Sequence, residues 1–125
     1  ILLIIVGVLL TLNSFAYPNT ISEQGINHTE AKKLVYSIPK KYYKDVNIIE
    51  FVNHPICKVY DIFGQKKCYS GWTYVYWDIN HNCFNGKIIL HNPDLLIHEL
   101  GHVYELCELK KSNSTEEFAN KFKIW

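Results

Sequence analysis

Apolar positions recur along this chain with two different periods, and the switches between them mark out its elements. Across residues 29–37, Ala31, Leu34 and Val35, with Ile38 just beyond, recur at helical spacing until Pro39 ends the pattern, which predicts a first helix. Across residues 45–53, Val46, Ile48, Ile49, Phe51 and Val52 are β-branched or aromatic and are closed off by His54-Pro55, which predicts a strand. A second strand is predicted over 56–62. Beyond a turn at Gly64, residues 68–79 carry Trp72-Thr73-Tyr74-Val75-Tyr76-Trp77, an antiparallel return strand whose aromatic rings serve sheet packing. Residues 80–86 are rich in turn formers, and residues 87–90 form a short strand.

The next segment is helical and apolar on nearly every side. Asn92 offers a cap and Pro93 suits the first helical position, where its missing N–H costs nothing. Leu95, Leu96, Ile97, Leu100, Val103, Leu106 and Leu109 spread around the circumference, the pattern of a buried helix reaching about residue 109. After a break at 110–113, Ser114 with Glu117 three residues on has the form of a capping box opening a last helix, 116–122. The expected fold is α+β: a small mixed or antiparallel sheet of about four strands, a backing helix, the buried helix and a C-terminal helix bearing glutamates.

Composition narrows the organisation. The chain has 125 residues, 48% of them apolar, enough for one domain. Residues 1–10 form an unbroken apolar run, and Ser14 and Ala16 are small residues suited to cleavage after Ala16. Residues 1–16 therefore read as a secretory signal or an N-terminal membrane anchor, residues 17–28 as an exposed leader, and residues 29–125 as a single domain outside the cytoplasmic membrane. Thirteen basic against twelve acidic residues leave a charge of +1 with no basic run, which argues against nucleic acid as a partner. Membrane contact is expected only through the N-terminal segment, if it is retained.

Export changes the reading of the four cysteines, none of which forms a C-x-x-C pair. Cys57 and Cys68 flank the turn at 63–66 and are the favoured disulfide, which leaves Cys83 for Cys107. Buried free thiols are the alternative.

The buried helix carries His98-Glu99-Leu100-Gly101-His102, an H-E-x-x-H pattern. Positions i and i+4 share a helix face, so His98 and His102 can aim at one zinc ion, while Glu99 is placed to take a proton from the zinc-bound water as general base. Burying all three without partners would be costly, and one metal ion with its water satisfies them together. Catalytic zinc commonly has three protein ligands, so one more is required. The continuation H-x-x-G-x-x-H is absent, because Glu105 and Glu108 stand where Gly and His would be.

A helix after this motif with Glu116, Ala119 and Asn120 in sequence resembles the gluzincins, zinc metallopeptidases in which a second helix supplies a glutamate ligand. The size of the domain is closest to the single-domain minigluzincins, and the resemblance covers chiefly residues 86–122. It implies a zincin-like fold, Glu116 as third zinc ligand, with Glu117 as competitor, and Asn120 behind a histidine as an orienting partner. It further implies a zinc-dependent metalloendopeptidase hydrolysing peptide bonds, which the N-terminal segment would make secreted or membrane-anchored facing outside. An extended peptide or protein substrate is expected to add to the strand containing Ile88, Ile89 and Leu90 as a sheet edge. His91, Tyr104, His81 and Tyr76 are candidate oxyanion donors, and His54 and His81 otherwise read as loop histidines. Two rival readings are an exported zinc-binding or protein-interaction domain without turnover, and a disulfide-stapled interaction domain in which the motif is accidental.

Overall fold

The computed structural model describes residues 16–124, so the apolar run and Ser14 of the predicted signal lie outside the described residues. The elements follow in the order β1 (Asn19–Ser22), α1 (His28–Tyr36), β2 (Val46–Phe51), β3 (Ile56–Val59), β4 (Lys66–Tyr69), β5 (Gly71–Trp77), β6 (Cys83–Leu90), α2 (Leu96–Cys107) and α3 (Glu116–Lys121). Four strands make one mixed sheet in the order β1-β2-β6-β5, while β3 and β4 form a separate hairpin. β1 and β2 pair in parallel, as do β2 and β6, and β5 runs antiparallel to β6. The α+β class and the four-stranded sheet agree with the sequence reading.

The core follows from alternation on the two central strands. Ile49 is level with Ile88 and Phe51 with Leu90, so these four side chains share one sheet face. All are essentially inaccessible, and they meet Val35 of α1 and Leu96 and Leu100 of α2 in one apolar cluster. On the opposite face Lys87 pairs with Glu50 at 2.8 Å. The helix α1 starts where Asn27 accepts hydrogen bonds from the N–H groups of Thr29 and Glu30, at 3.0 and 3.2 Å. Asn92 does cap, but it caps the single 3-10 turn Pro93–Leu95 that leads into α2.

Four expectations are corrected. The supposed leader contains β1, and its Ile26 packs against the core. Its polar composition reflects an edge strand with only one neighbour. The predicted strand over 56–62 ends at Val59, because Asp61 takes the chain into the turn. The long return strand divides at Ser70, β4 closing the hairpin and β5 joining the main sheet. Finally, β6 is not an edge. It lies between β2 and β5, and Ile88 and Leu90 are core residues, so both its hydrogen-bonding sides are occupied by the protein itself. The edge on that side is β5.

Both favoured disulfides are present, and no free cysteine occurs among the described residues. Cys57–Cys68 staples the hairpin, while Cys83–Cys107 ties the start of β6 to the last residue of α2. Two disulfides suit an oxidising compartment. Among the described residues no helix is long and apolar enough to cross a membrane. Replacing Cys83 and Cys107 together by alanine should lower global stability by about 3 kcal/mol in urea titrations. Replacing Cys57 and Cys68 should chiefly raise amide exchange within β3 and β4, since the hairpin stands outside the main core.

Candidate metal centre

Helical spacing in α2 stacks His98 over His102 with their rings edge to face, 4.9 Å between centroids. Their Nε2 atoms are 3.2 Å apart. Glu116, the first residue of α3, brings Oε2 to 2.9 Å from His98 Nε2 and Oε1 to 3.2 Å from His102 Nε2. Two imidazole nitrogens this close, both facing a carboxylate, repel unless a cation or a shared proton lies between them. Ligand atoms about 2.0–2.1 Å from a tetrahedral zinc would be about 3.3 Å from one another, close to the separation of the two nitrogens and to the distance of each from one oxygen of Glu116. Glu99 Oε2 stands further off, 3.7 and 3.9 Å from the same two nitrogens. His98, Glu99 and His102 thus form a group able to hold a metal, with the Glu116 carboxylate against it.

Glu99 is held by β5. The Thr73 hydroxyl donates to its Oε1 at 2.9 Å, and a Cβ on Gly71 would come within 3.1 to 3.3 Å of its carboxylate end. Glycine at that position leaves the carboxylate its space. Burial pushes the Glu99 pKa upward, while the Thr73 hydrogen bond and the two histidines act against that rise.

The position of Glu116 depends on how closely α3 approaches α2. Any Cβ on Gly101 would lie 2.8 Å from Phe122 Cβ and 3.0 Å from Ala119 Cα. The connecting loop is fixed from below by Glu105, which is buried. It accepts a hydrogen bond from the Thr115 N–H at 2.6 Å and one from Lys111 Nζ at 3.1 Å. Burial alone would raise the Glu105 pKa, but the Thr115 N–H and the Lys111 ammonium outweigh it and hold the carboxyl below its ordinary value. Thr115, and not Ser114, caps α3, accepting from the Phe118 N–H at 3.1 Å. No capping box forms with Glu117, whose carboxylate instead pairs with Lys121 at 3.0 Å. Of the two competing glutamates, only Glu116 lies against the histidines.

A cleft of about 790 Å³ opens over the group, lined by Lys67, Tyr69, Trp72, Thr73, Ser114 and Asn120 besides the site residues. Asn120 thus borders the cleft, and the buried Nδ1 of His102 has no hydrogen-bond partner, so Asn120 does not orient that ring. The four oxyanion candidates lie elsewhere. His81 stacks on Trp77, Tyr76 packs on Phe84, Tyr104 packs on Phe118 and Phe122, and His91 faces the Val52 carbonyl. His54 pairs with Glu23 outside the site. Thr73, Gly71 and Glu105 escaped the sequence reading, since nothing in their local pattern signals a contact 26 residues away in the first case or a buried anchor in the last.

Two substitutions probe this frame. In Gly101→Ala the helix gains up to ~1 kcal/mol of propensity but meets Phe122 and Ala119, an overpacking cost of about 1–3 kcal/mol. A net loss of stability together with weaker metal binding is expected by calorimetry; a stabilised variant with unaltered binding would show that α3 is not held at van der Waals contact. Glu105→Gln should cost about 1–3 kcal/mol at neutral pH. Because the folded carboxyl is held below its ordinary value of 4.5, this contribution is complete above that value and fades as pH falls through the lower folded value. Urea titrations at neutral and acid pH should therefore show wild type and variant converging in acid.

No protein-family model matches this chain, no curated protein matches it in sequence, and no solved structure matches it in fold. The chemistry of the centre is accordingly read from its own atoms.

Proposed function

We propose that the chain is a zinc-dependent metallopeptidase of the gluzincin type, with a zincin-like arrangement of helices, acting outside the cytoplasm on extended peptide or protein substrates. The observation that carries this reading is the convergence of His98 Nε2, His102 Nε2 and the Glu116 carboxylate at separations suited to one tetrahedral ion, with buried Glu99 beside them. His98, His102 and Glu116 hold the metal. A bound zinc supplies a water acidified to a pKa near 7 and a positive charge for the developing oxyanion. Glu99 accepts the proton of the attacking water and later delivers it to the leaving amine. Thr73 keeps the Glu99 carboxylate turned toward the cleft throughout.

The substrate site moves from the strand expected in the sequence to its neighbour. β5 is the edge of the sheet, and its Gly71, Trp72 and Thr73 line the same cleft as the metal group. A peptide adding to that edge as a further strand is held by main-chain hydrogen bonds, with little demand on its sequence, and passes the centre.

One observation favours a second reading. The donors expected for the oxyanion all lie away from the cleft, as a zinc-binding domain without turnover would allow. Glu99→Gln separates the two. For a peptidase, zinc content is retained while hydrolysis of a broad peptide library falls by about two to four orders of magnitude. If the wild-type chain binds zinc and cleaves nothing, the non-catalytic reading stands. Metal titration of Glu116→Ala beside Glu117→Ala tests the ligand set: affinity should collapse in the first and hold in the second.

A further inference from the structure

The β3–β4 hairpin contributes no residue to the apolar cluster of the domain, yet its tip carries two of the three most exposed large hydrophobic side chains among the described residues. Ile62 is 93% exposed and Phe63 83%, with Val59 and Tyr60 above 60% beside them. The fold does not need these residues apolar. Nor is the tip loosely built. Asp61 Oδ1 accepts hydrogen bonds from the N–H groups of Phe63 and Gln65 at 2.9 and 3.0 Å, and the Tyr60 hydroxyl donates to Gln65 Oε1 at 2.7 Å. Gly64 completes the turn at φ 74°, a conformation that costs glycine nothing. Below the turn, Cys57–Cys68 closes the base. Ile62 and Phe63 are therefore presented on a fixed, convex apex, with the ordering cost of exposure already met by the protein.

The charge around that apex is predominantly positive. Residues 57–68 hold Lys58, Lys66 and Lys67 against Asp61, whose carboxylate is engaged by the turn. Lys58 and Lys67 are direct cross-strand partners, a like-charge pairing that destabilises an isolated hairpin. Their ammonium groups lie over Trp72 and Tyr69, at 5.2 and 5.4 Å from the ring centroids. No acidic side chain of the hairpin answers them.

An apolar tip carried on a hairpin of net positive charge has no complement in a flat protein surface, which would need a pocket for Ile62 and Phe63. A bilayer interface with anionic headgroups accepts both parts at once. We propose that the Ile62-Phe63 tip of this stapled hairpin inserts into the headgroup region of an anionic lipid bilayer, with Lys58, Lys66 and Lys67 drawn against the lipid phosphates and carboxylates. The contact is independent of the metal centre, but Lys67 and Tyr69 also border the cleft, so insertion sets the cleft close to the membrane plane.

The test uses the full chain, and its readout sits on the tip because residues 1–10 are themselves apolar. In Phe63→Trp, the introduced indole should shift its emission to the blue and be quenched by brominated lipid in phosphatidylcholine vesicles containing about one-third phosphatidylserine. Ile62→Ser combined with Phe63→Ser should lower partition into those vesicles about a hundredfold, and each Lys→Gln change at 58, 66 or 67 about fivefold. An indole that remains fully accessible to aqueous quencher on vesicle-bound protein would overturn the proposal. So would unchanged partition of the double serine variant. If the same substitutions instead abolished self-association or the binding of a protein, and left vesicle partition unaltered, the tip would belong to a second copy or a protein partner and the lipid assignment would fail.

Discussion

Everything about the candidate metal group rests on how near α3 can come to α2. A side chain at Gly101 would keep the two apart, and Glu116 would then stand beyond the reach of His98 and His102. Close approach alone does not set the rotation of α3, however. That is set by Glu105, which takes the Thr115 N–H directly before Glu116 and fixes where the helix begins. A steric permission and a buried hydrogen bond together turn two residues of one helix and one of another into a single cluster. Neither would suffice without the other, because a carboxylate at the end of a six-residue helix has no intrinsic reason to point inward.

Glu99 is governed from the opposite side. β5 faces Glu99 through Thr73 and the space at Gly71, and β5 is in turn held in place by its antiparallel pairing with the central strand β6. The same strand thus holds the carboxylate through Thr73 and lines the cleft with Gly71, Trp72 and Thr73. In the proposed peptidase this couples substrate seating to the geometry of the base, since a peptide pairing with β5 would stiffen the strand that holds Glu99.

Much of this was legible in the residues. Helical spacing was enough to find α1 and α2, and the cross-turn placement of Cys57 and Cys68 was enough to pair the cysteines. Local pattern failed where pairing is non-local. The residues of β1 read as a polar leader because an edge strand of four residues has too little alternation to register, and β6 read as a sheet edge because nothing in its own sequence reveals two neighbours. Glu116 is favoured by its spacing to Ala119 and Asn120, with a capping box at Glu117 as added support; that box does not form, and Glu117 is instead drawn aside by Lys121 while Thr115 caps the helix. Thr73 was hidden in an aromatic strand whose rings drew attention to packing.

The division of disulfides between the two parts of the molecule has a consequence for how the sequence can change over time. Cys83–Cys107 lies within the frame that sets the histidines, so substitutions around it are felt at the centre. The hairpin closed by Cys57–Cys68 hangs outside the core cluster and keeps its shape by its own staple and turn. Residues between those two cysteines can be exchanged, lengthened or recharged without disturbing the packing of α2 on the sheet. The hairpin tip and the histidine cluster are therefore free to change at different rates.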